Sequence, residues 1–161
     1  MLLLFISTNL WAPVSFYIQG QAQEMVYSAH VREIDQRVES EPFSPELFYE
    51  ALKIYVRNPD IAYRQAVLET GWFTHPRFTR YGNLFGMKPA RSRESCQNGI
   101  WKHHATYSHW INSVKDYALW QDYWLEKGYD QKDYYLFLEE LPYATAKRYT
   151  ETLRLIELPA A

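Results

Sequence analysis

Hydrophobic residues recur at helical spacing along most of the chain, with polar residues between them. Residues 44–57 open with Ser-Pro-Glu, a strong helix-start signal, and carry an apolar stripe. The next helix is predicted to begin at Pro59 with Asn58 as its N-cap, and Gly71 is positioned to end it. Residues 24–40 are predicted to form a helix or a partly ordered lead-in. Further helices are predicted over residues 109–127, 130–140 and 145–156, with one short helical turn over 76–81.

Strand character is confined to the middle of the chain. Residues 84–88 and 99–107 are predicted to form two strands, separated by the polar segment 89–98. The pattern as a whole therefore predicts a mainly α fold with a small β lobe.

A single carboxylate, Glu69, falls in the last turn of the helix that precedes Gly71. Helical spacing places Gln65 and Glu69 on one face, beside apolar positions that should turn toward a core. The partial negative charge of a helix C-terminus and partial desolvation both disfavour the carboxylate and raise its pKa, as a general acid requires. An ordinary solvated glutamate is the alternative interpretation of this position, because Glu is a common helix former.

The surroundings of Glu69 favour the catalytic interpretation. The segment Gln-Ala-Val-Leu-Glu-Thr-Gly-Trp over 65–72 and its sequel Gly-Asn-Leu-Phe-Gly-Met-Lys over 82–88 resemble the glucosaminidase family of bacterial peptidoglycan hydrolases, glycoside hydrolase family 73. Two later blocks, 107–117 and Tyr143-Ala144-Thr145 with Tyr149, also resemble that family. The four blocks follow the family's order and extend over about residues 44–155.

The resemblance implies a lysozyme-like fold with a cleft between the β lobe and the helices. It also implies an endo-β-N-acetylglucosaminidase that cleaves the β-1,4 bond after N-acetylglucosamine in peptidoglycan, with Glu69 as general acid. The residues that it assigns to substrate binding are Gln65, Trp72, Asn83 and Phe85. Two positions depart from the family pattern: Phe73 stands where Gly is usual, and Gly82 where Asn is usual, so the cleft entrance is expected to differ.

Glycosidases generally use a second catalytic group. Glu94 is the only acid between the two predicted strands and is therefore a candidate, although an exposed ion pair with Arg91 or Arg93 is the alternative. The resemblance makes Tyr143 another candidate, facing Glu69 across the cleft, where its hydroxyl would orient the substrate's acetamido group or stabilise developing positive charge. Packing of Tyr143 against Tyr149 is the non-catalytic alternative.

Two other functions fit the same pattern. A muramidase or lytic transglycosylase also places a single Glu at the end of a helix in a related fold. A cell-wall-binding module that has lost activity would keep the cleft, although the presence of Glu69 argues against it.

Composition and charge narrow the range of partners. Aromatic residues make up 17% of the chain, with 14 Tyr and 6 Trp, which suits both a small core and a sugar-binding cleft. A net charge of -2 predicts no nucleic-acid partner, whereas basic residues of the lobe, from Arg77 to Lys102, would attract an anionic polymer. Cys96, His103, His104 and His109 fit no standard zinc spacing, so neither a metal nor a cofactor is expected.

The first 22 residues carry no charge, begin with an apolar run and end at Gly20-Gln21-Ala22, a small-x-small cleavage site. They predict an export signal, with a buried strand as the alternative, although the usual positive n-region is absent. Residues 23–161 would then form a single glucosaminidase-like domain, monomeric and located in the periplasm or outside the cell. The sole cysteine, Cys96, cannot form an intrachain disulfide.

Overall fold

The computed structural model describes residues 27–141 and 148–160, and the chain divides into two units, Met1–Ser40 and Glu41–Ala161. In the described part of the first unit, residues 27–40 form helix α1. The predicted export signal, residues 1–22, lies outside the described residues. Among the described helices, none has both the length and the apolar composition needed to cross a membrane.

Helices α2 (Pro45–Tyr55) and α3 (Pro59–Thr70) follow the predicted boundaries. Ser44 caps α2, because its hydroxyl accepts a hydrogen bond from the Leu47 N–H at 3.1 Å. Asn58 occupies the N-cap position of α3, as the sequence predicted. Asn58 has left-handed backbone angles and its side chain makes no cap bond, since its Nδ2 donates instead to the Gln131 carbonyl at 3.4 Å.

Four further helices complete the second unit as described: α4 (Pro76–Thr79), α5 (Trp110–Glu126), α6 (Tyr134–Glu140) and α7 (Tyr149–Arg154). Helix α5 falls within the predicted range 109–127, and His109 caps it, because its Nδ1 accepts from the Ile111 N–H at 3.4 Å. Helix α6 begins later than predicted, because its N-cap is Asp133, which accepts a hydrogen bond from the Leu136 N–H at 3.1 Å. Asp130, the predicted cap, instead accepts from the Lys132 N–H in the preceding turn.

The β lobe is a hairpin of two short antiparallel strands, β1 (Gly99–Trp101) and β2 (His104–Thr106), with Ile100 opposite Ala105. Lys102 and His103 form the turn with positive φ angles of 44° and 67°. The sequence correctly predicted β structure over residues 99–107. It predicted a single strand there, whereas these residues form both strands of the hairpin.

The prediction of a strand over residues 84–88 was wrong, because hydrogen bonds of the Asn83 side chain stabilise a loop there. Its buried Nδ2 donates to the carbonyls of Met87 and Ala105 at 3.0 and 2.8 Å, and its Oδ1 accepts from the Met87 N–H at 3.0 Å. Gly82 and Gly86 both have positive φ, which breaks the extended geometry that a strand needs.

Aromatic rings fill much of the core between α2, α3 and α5. Phe48 is fully buried and lies within 6.2 Å, centroid to centroid, of five other rings, those of Phe43, Tyr63, Phe73, Phe85 and Trp110. The predicted fold class, mainly α with a small β lobe, is confirmed.

Candidate active site

The end of α3 fixes the position of Glu69. The Trp72 N–H bonds to the Val67 carbonyl at 2.9 Å and Gly71 has a φ of 54°, which together form a left-handed helix end. Thr70 secures the following turn, because its hydroxyl accepts from the Phe73 N–H at 2.9 Å. Glu69 therefore sits in the last turn of the helix, as the sequence predicted.

Both carboxylate oxygens of Glu69 accept a hydrogen bond. Arg77 of α4 donates from Nη1 to Oε2, and Tyr149 of α7 donates from its hydroxyl to Oε1, each at 3.3 Å. The side chain of Glu69 remains 23% exposed. The carboxyl is thus held in place by groups from two other helices while it stays open to a ligand.

Burial raises the pKa of the Glu69 carboxyl above its ordinary value. The positive charge of Arg77 acts in the opposite direction, followed by the hydrogen bonds from Tyr149 and Arg77 and by the charge of Lys88. Burial prevails, so the carboxyl keeps its proton to a higher pH than a solvated glutamate would. This is the electrostatic condition that the sequence predicted for a general acid.

Glu69 lies on the wall of a cavity of about 820 Å³. Among the described residues it is the only carboxylate that lines this cavity, whereas the lining cations are Arg77, Lys88, Arg91 and Arg93. A site of this size and sign suits an anionic ligand larger than one sugar ring.

Aromatic rings also line this cavity. Trp120, Tyr123 and Trp124, all from α5, line it together with Phe85. Such rings offer apolar faces and a few polar tips, an arrangement that suits the apolar faces of pyranose rings.

The backbone of Gly86 approaches the carboxylate of Glu69 closely. Its φ is 65°, and a Cβ placed there would lie 2.8 Å from both Glu69 Oε2 and Arg77 Nη1. The absence of a side chain at this position lets the loop approach the Glu69–Arg77 pair.

The loop over residues 89–98 is held against α5 by Asp116. Arg93 donates to both carboxylate oxygens of Asp116 at 2.9 and 3.0 Å, and the Cys96 N–H donates to Oδ1 at 3.0 Å. The Tyr107 hydroxyl also donates to Asp116 at 2.7 Å. Asp116 is fully buried, so this cluster fixes the cationic side of the cavity to a helix.

The structure brings only part of the predicted substrate-binding set to the cavity. Phe85 lines it, whereas Gln65 is fully buried and does not. Asn83 is also fully buried, and its amide bonds to the carbonyls of Met87 and Ala105. Trp72 is 65% exposed just after the helix end and does not line the cavity. Their roles toward a substrate stay predictions.

The two predicted partners of Glu69 are placed differently. Glu94 is exposed and does not line the cavity. Tyr143 lies outside the described residues. Neither assignment is tested by these positions, and both stay predictions.

Sequence reasoning missed three residues that shape the site. Arg77 was named only among the basic residues of the lobe, Asp116 was given no role within the block 107–117, and Tyr149 was noted only beside the block that begins at Tyr143. The spacing of Tyr149 within that block was a usable signal. Nothing local pointed to Arg77, because its approach to Glu69 depends on the turn that follows α3.

The histidines that raised the question of a metal are dispersed. His103 lies in the β turn, and His104 lies in β2 with its Nε2 3.3 Å from the Lys88 ammonium. Burial lowers the pKa of His104. Within residues 27–141 and 148–160, no group of three or more His, Cys, Asp or Glu side chains could hold a metal ion.

Comparison with protein families yields one match. The family model for glucosaminidase, described as mannosyl-glycoprotein endo-beta-N-acetylglucosaminidase, matches residues 45–157. Searches of curated proteins and of solved structures returned no significant match. The matched range includes every helix and strand around the cavity.

Proposed function

Because the chain belongs to the glucosaminidase family and is thus a glycoside hydrolase, we propose that it cleaves the β-1,4 bond following N-acetylglucosamine in peptidoglycan, with Glu69 as general acid. One observation carries the assignment of Glu69. It is the sole carboxylate among the described residues that line the cavity, and burial raises its pKa while leaving it partly exposed.

In the proposed reaction, the proton of Glu69 passes to the glycosidic oxygen as the bond between that oxygen and the anomeric carbon breaks. The carboxylate that remains carries a full negative charge. Arg77 and Tyr149 already donate to its two oxygens, so the product of the proton transfer is stabilised without rearrangement.

The proposal does not depend on a second carboxylate. The substrate's own acetamido oxygen can attack the anomeric carbon, and Tyr143 would orient that group or stabilise the charge. Glu94 is the alternative partner, provided that its loop closes over the substrate. Comparing Tyr143→Phe and Glu94→Gln with the unchanged protein separates these two possibilities.

The charge of the cavity supports peptidoglycan as the substrate. Its glycan strands carry lactyl and peptide carboxylates, which the surplus of cations over acids in the cavity lining would attract. Peptidoglycan lies outside the cytoplasmic membrane, which fits the proposal that residues 1–22 direct export to the periplasm or the cell exterior.

Mass spectrometry of fragments released from purified peptidoglycan tests the function. Reducing N-acetylglucosamine ends are expected. Anhydro-muramic ends would instead identify a lytic transglycosylase, which also uses a single carboxylate, and Glu69 is the one carboxylate among the described residues of the cavity wall. Reducing muramic ends would identify a muramidase. The absence of any release would leave an inactive wall-binding module.

Glu69→Gln tests the general acid directly. The amide keeps the shape of the side chain and its contacts with Arg77, but it cannot supply the proton. We expect the variant to fold as the unchanged protein does, by circular dichroism and thermal melting, while kcat falls by a factor on the order of 100 or more. A folded variant that retains most of its activity would contradict the assignment.

A further inference from the structure

A row of buried side chains leads away from Glu69 into the core. Tyr149, which donates to Glu69, accepts a hydrogen bond from Gln65 Nε2 at 3.3 Å. The other end of the Gln65 amide, Oε1, accepts from the Tyr117 hydroxyl at 2.6 Å. The carboxylate is thus connected through α7 and α3 to the middle of α5.

The row continues to the far side of the core. The hydroxyl oxygens of Tyr117 and Tyr134 lie 2.6 Å apart, and Gln121 Nε2 donates to the Tyr134 hydroxyl at 2.6 Å. Gln65, Tyr117, Tyr134 and Gln121 are each at most 1% exposed.

The backbone of Arg57 fixes the amide of Gln121. The Arg57 N–H donates to Gln121 Oε1 at 2.9 Å, and Gln121 Nε2 donates to the Arg57 carbonyl at 2.8 Å. If the amide were turned over, its oxygen would face a carbonyl and its nitrogen an N–H, so only one orientation makes both bonds. Gln121 must therefore present a donor to Tyr134.

The amide nitrogen of Gln121, fixed as a donor, sets the direction of each hydrogen bond between Tyr134 and Glu69. A phenol has one proton to donate, so Tyr134, which accepts from Gln121, gives its proton to Tyr117. Tyr117 then donates to Gln65 Oε1, which turns the amide nitrogen of Gln65 toward Tyr149. The proton of Tyr149 is left for Glu69.

We propose that Gln121, Tyr134, Tyr117 and Gln65 are positioning residues, whose directed hydrogen bonds, set by the Arg57 backbone, keep the Tyr149 hydroxyl donating to Glu69. If the row were reversed, Gln65 would present its oxygen to Tyr149, and the phenolic proton would leave the carboxylate. The row therefore stabilises the charged form of Glu69, which is the form left after proton transfer. Its catalytic value rests on the proposed function, whereas the direction of the bonds does not.

Other groups also face Glu69 and must be kept constant in any test. Arg77 from α4 and Lys88 from the loop before β1 both favour the charged form of Glu69. The remaining titratable groups that line the cavity are Arg91, Arg93, His104 and Tyr123. None of these residues belongs to the row.

Gln121→Glu should reverse the row. A carboxylate has no proton to donate, and a protonated carboxyl has only one, which we expect to go to the Arg57 carbonyl, so neither form donates to Tyr134 as the amide does. Tyr134 would then donate to residue 121, and each later bond would turn around. The free protein, labelled with 13C at glutamate carboxyl groups, can be titrated by NMR, with the Glu69 signal identified by its loss in Glu69→Gln. We expect the pKa of Glu69 to rise in the variant.

Gln131→Glu is the matched control for the added charge. Gln131 is buried and donates to the backbone carbonyl of Gln121 at 2.6 Å, but it takes no part in the row. A rise in Gln121→Glu that exceeds any rise in Gln131→Glu supports the proposal. Equal pKa values of Glu69 in the two variants overturn it.

Tyr134→Phe tests the direction of the hydrogen bonds if Gln121→Glu does not fold. It keeps the ring, adds no charge and removes the link between Gln121 and Tyr117, so the Gln65 amide is free to turn over. Tyr63→Phe, which removes the hydroxyl of a buried tyrosine of the aromatic core outside the row, controls for lost stability. The pKa of Glu69 should rise in Tyr134→Phe and stay unchanged in Tyr63→Phe, and no difference between them would refute the direction argument.

Kinetics on peptidoglycan then separate positioning from binding. We expect kcat in Gln121→Glu to fall about tenfold with KM unchanged, and the basic limb of the pH profile to move to higher pH. If the protein without any substitution has no activity on peptidoglycan, the proposed function is refuted. The proposal on bond direction is still tested in that case, because the NMR titration needs no substrate.

Discussion

At the scale of single residues, the chemistry of the site depends on opposing effects at one carboxyl group. Burial raises the pKa of Glu69, and Arg77, Tyr149 and Lys88 lower it by a smaller total effect. A carboxyl with only the first effect would hold its proton but release it at a high energetic cost. The donors on both oxygens reduce that cost, so the same residue can keep its proton to a higher pH than a solvated glutamate would and still release it.

Tyr149→Phe isolates the contribution of one donor. The ring is kept, but the hydrogen bond to Glu69 is lost, so the charged carboxylate is less stable and the pKa of Glu69 should rise. A general acid works while protonated and loses activity as pH rises through its pKa. The basic limb of the pH profile should therefore move to higher pH, while kcat at its maximum falls about tenfold. An unchanged limb in a folded variant would show that the hydroxyl does not act on Glu69.

Gly86→Ala tests the close approach of the backbone to the carboxylate. The new Cβ would lie 2.8 Å from Glu69 Oε2 and from Arg77 Nη1, so one of these groups must shift. We expect kcat to fall by tenfold or more, in addition to a loss of about 1 kcal/mol in stability from the positive φ.

Gly128→Ala provides the matched control for this backbone strain. Gly128 also has a positive φ, 89°, but a Cβ there meets nothing within 4 Å. This variant should lose similar stability in thermal melting and keep its activity. Equal activity in the two alanine variants would mean that Gly86 serves the backbone only.

At the scale of elements, the β lobe is attached to the helices through a buried ion pair. Asp116 of α5 receives two bonds from Arg93, one from Tyr107 and one from the Cys96 backbone. Burial by itself would raise the pKa of Asp116, but hydrogen bonds from Arg93, Tyr107 and Ser95 and the charge of Arg93 outweigh it and leave the pKa below its usual value. Loop 89–98 thus keeps its place without a disulfide.

Asp116→Asn should weaken this attachment. It leaves the nearly buried guanidinium of Arg93 without a counter-charge, for which we expect a loss of about 3 kcal/mol in the free energy of unfolding at neutral pH. Urea unfolding measures it. Asp122→Asn, which removes the exposed ion pair with Arg57, is the control and should cost about 1 kcal/mol or less.

The pH dependence of this loss has a definite sign. The pKa of Asp116 is lower in the folded state, so its stabilising effect is present above the ordinary aspartate pKa and is lost as pH falls through the folded value. The gap in stability between the unchanged protein and Asp116→Asn should therefore narrow in acid. A gap that stays constant with pH would contradict the charged state of Asp116.

The elements that the sequence predicted well are those whose signals are local. Helix α3 and the position of Glu69 followed from Pro59 and Gly71, whose effects extend over only a few residues. The strand over 84–88 was wrong because a distant partner, the Ala105 carbonyl, takes a hydrogen bond from Asn83 and stabilises a loop instead. Likewise the row from Gln121 to Glu69 joins four helices, and no spacing along the chain reveals it.

At the scale of the whole molecule, the site and the family match lie within one of the two units. Every residue that lines the cavity, and the matched range 45–157, falls within Glu41–Ala161. The chain carries a net charge of only -2, so the cations of the cavity reflect local arrangement rather than overall composition. The sequence predicts one domain over residues 23–161, and this stays a prediction.

A chain shortened to Glu41–Ala161 tests where the catalytic domain begins. This unit contains α2 to α7 and the aromatic core around Phe48, which supply the apolar burial that a domain of this size needs to fold alone. Compared with residues 23–161, the shorter chain should unfold in a single transition in urea, with kcat on peptidoglycan within about twofold. Loss of cooperative unfolding in the shorter chain alone would mean that α1 belongs to the catalytic domain, as the sequence predicted. Cooperative unfolding with a large rise in KM would instead assign residues 23–40 a part in binding the glycan.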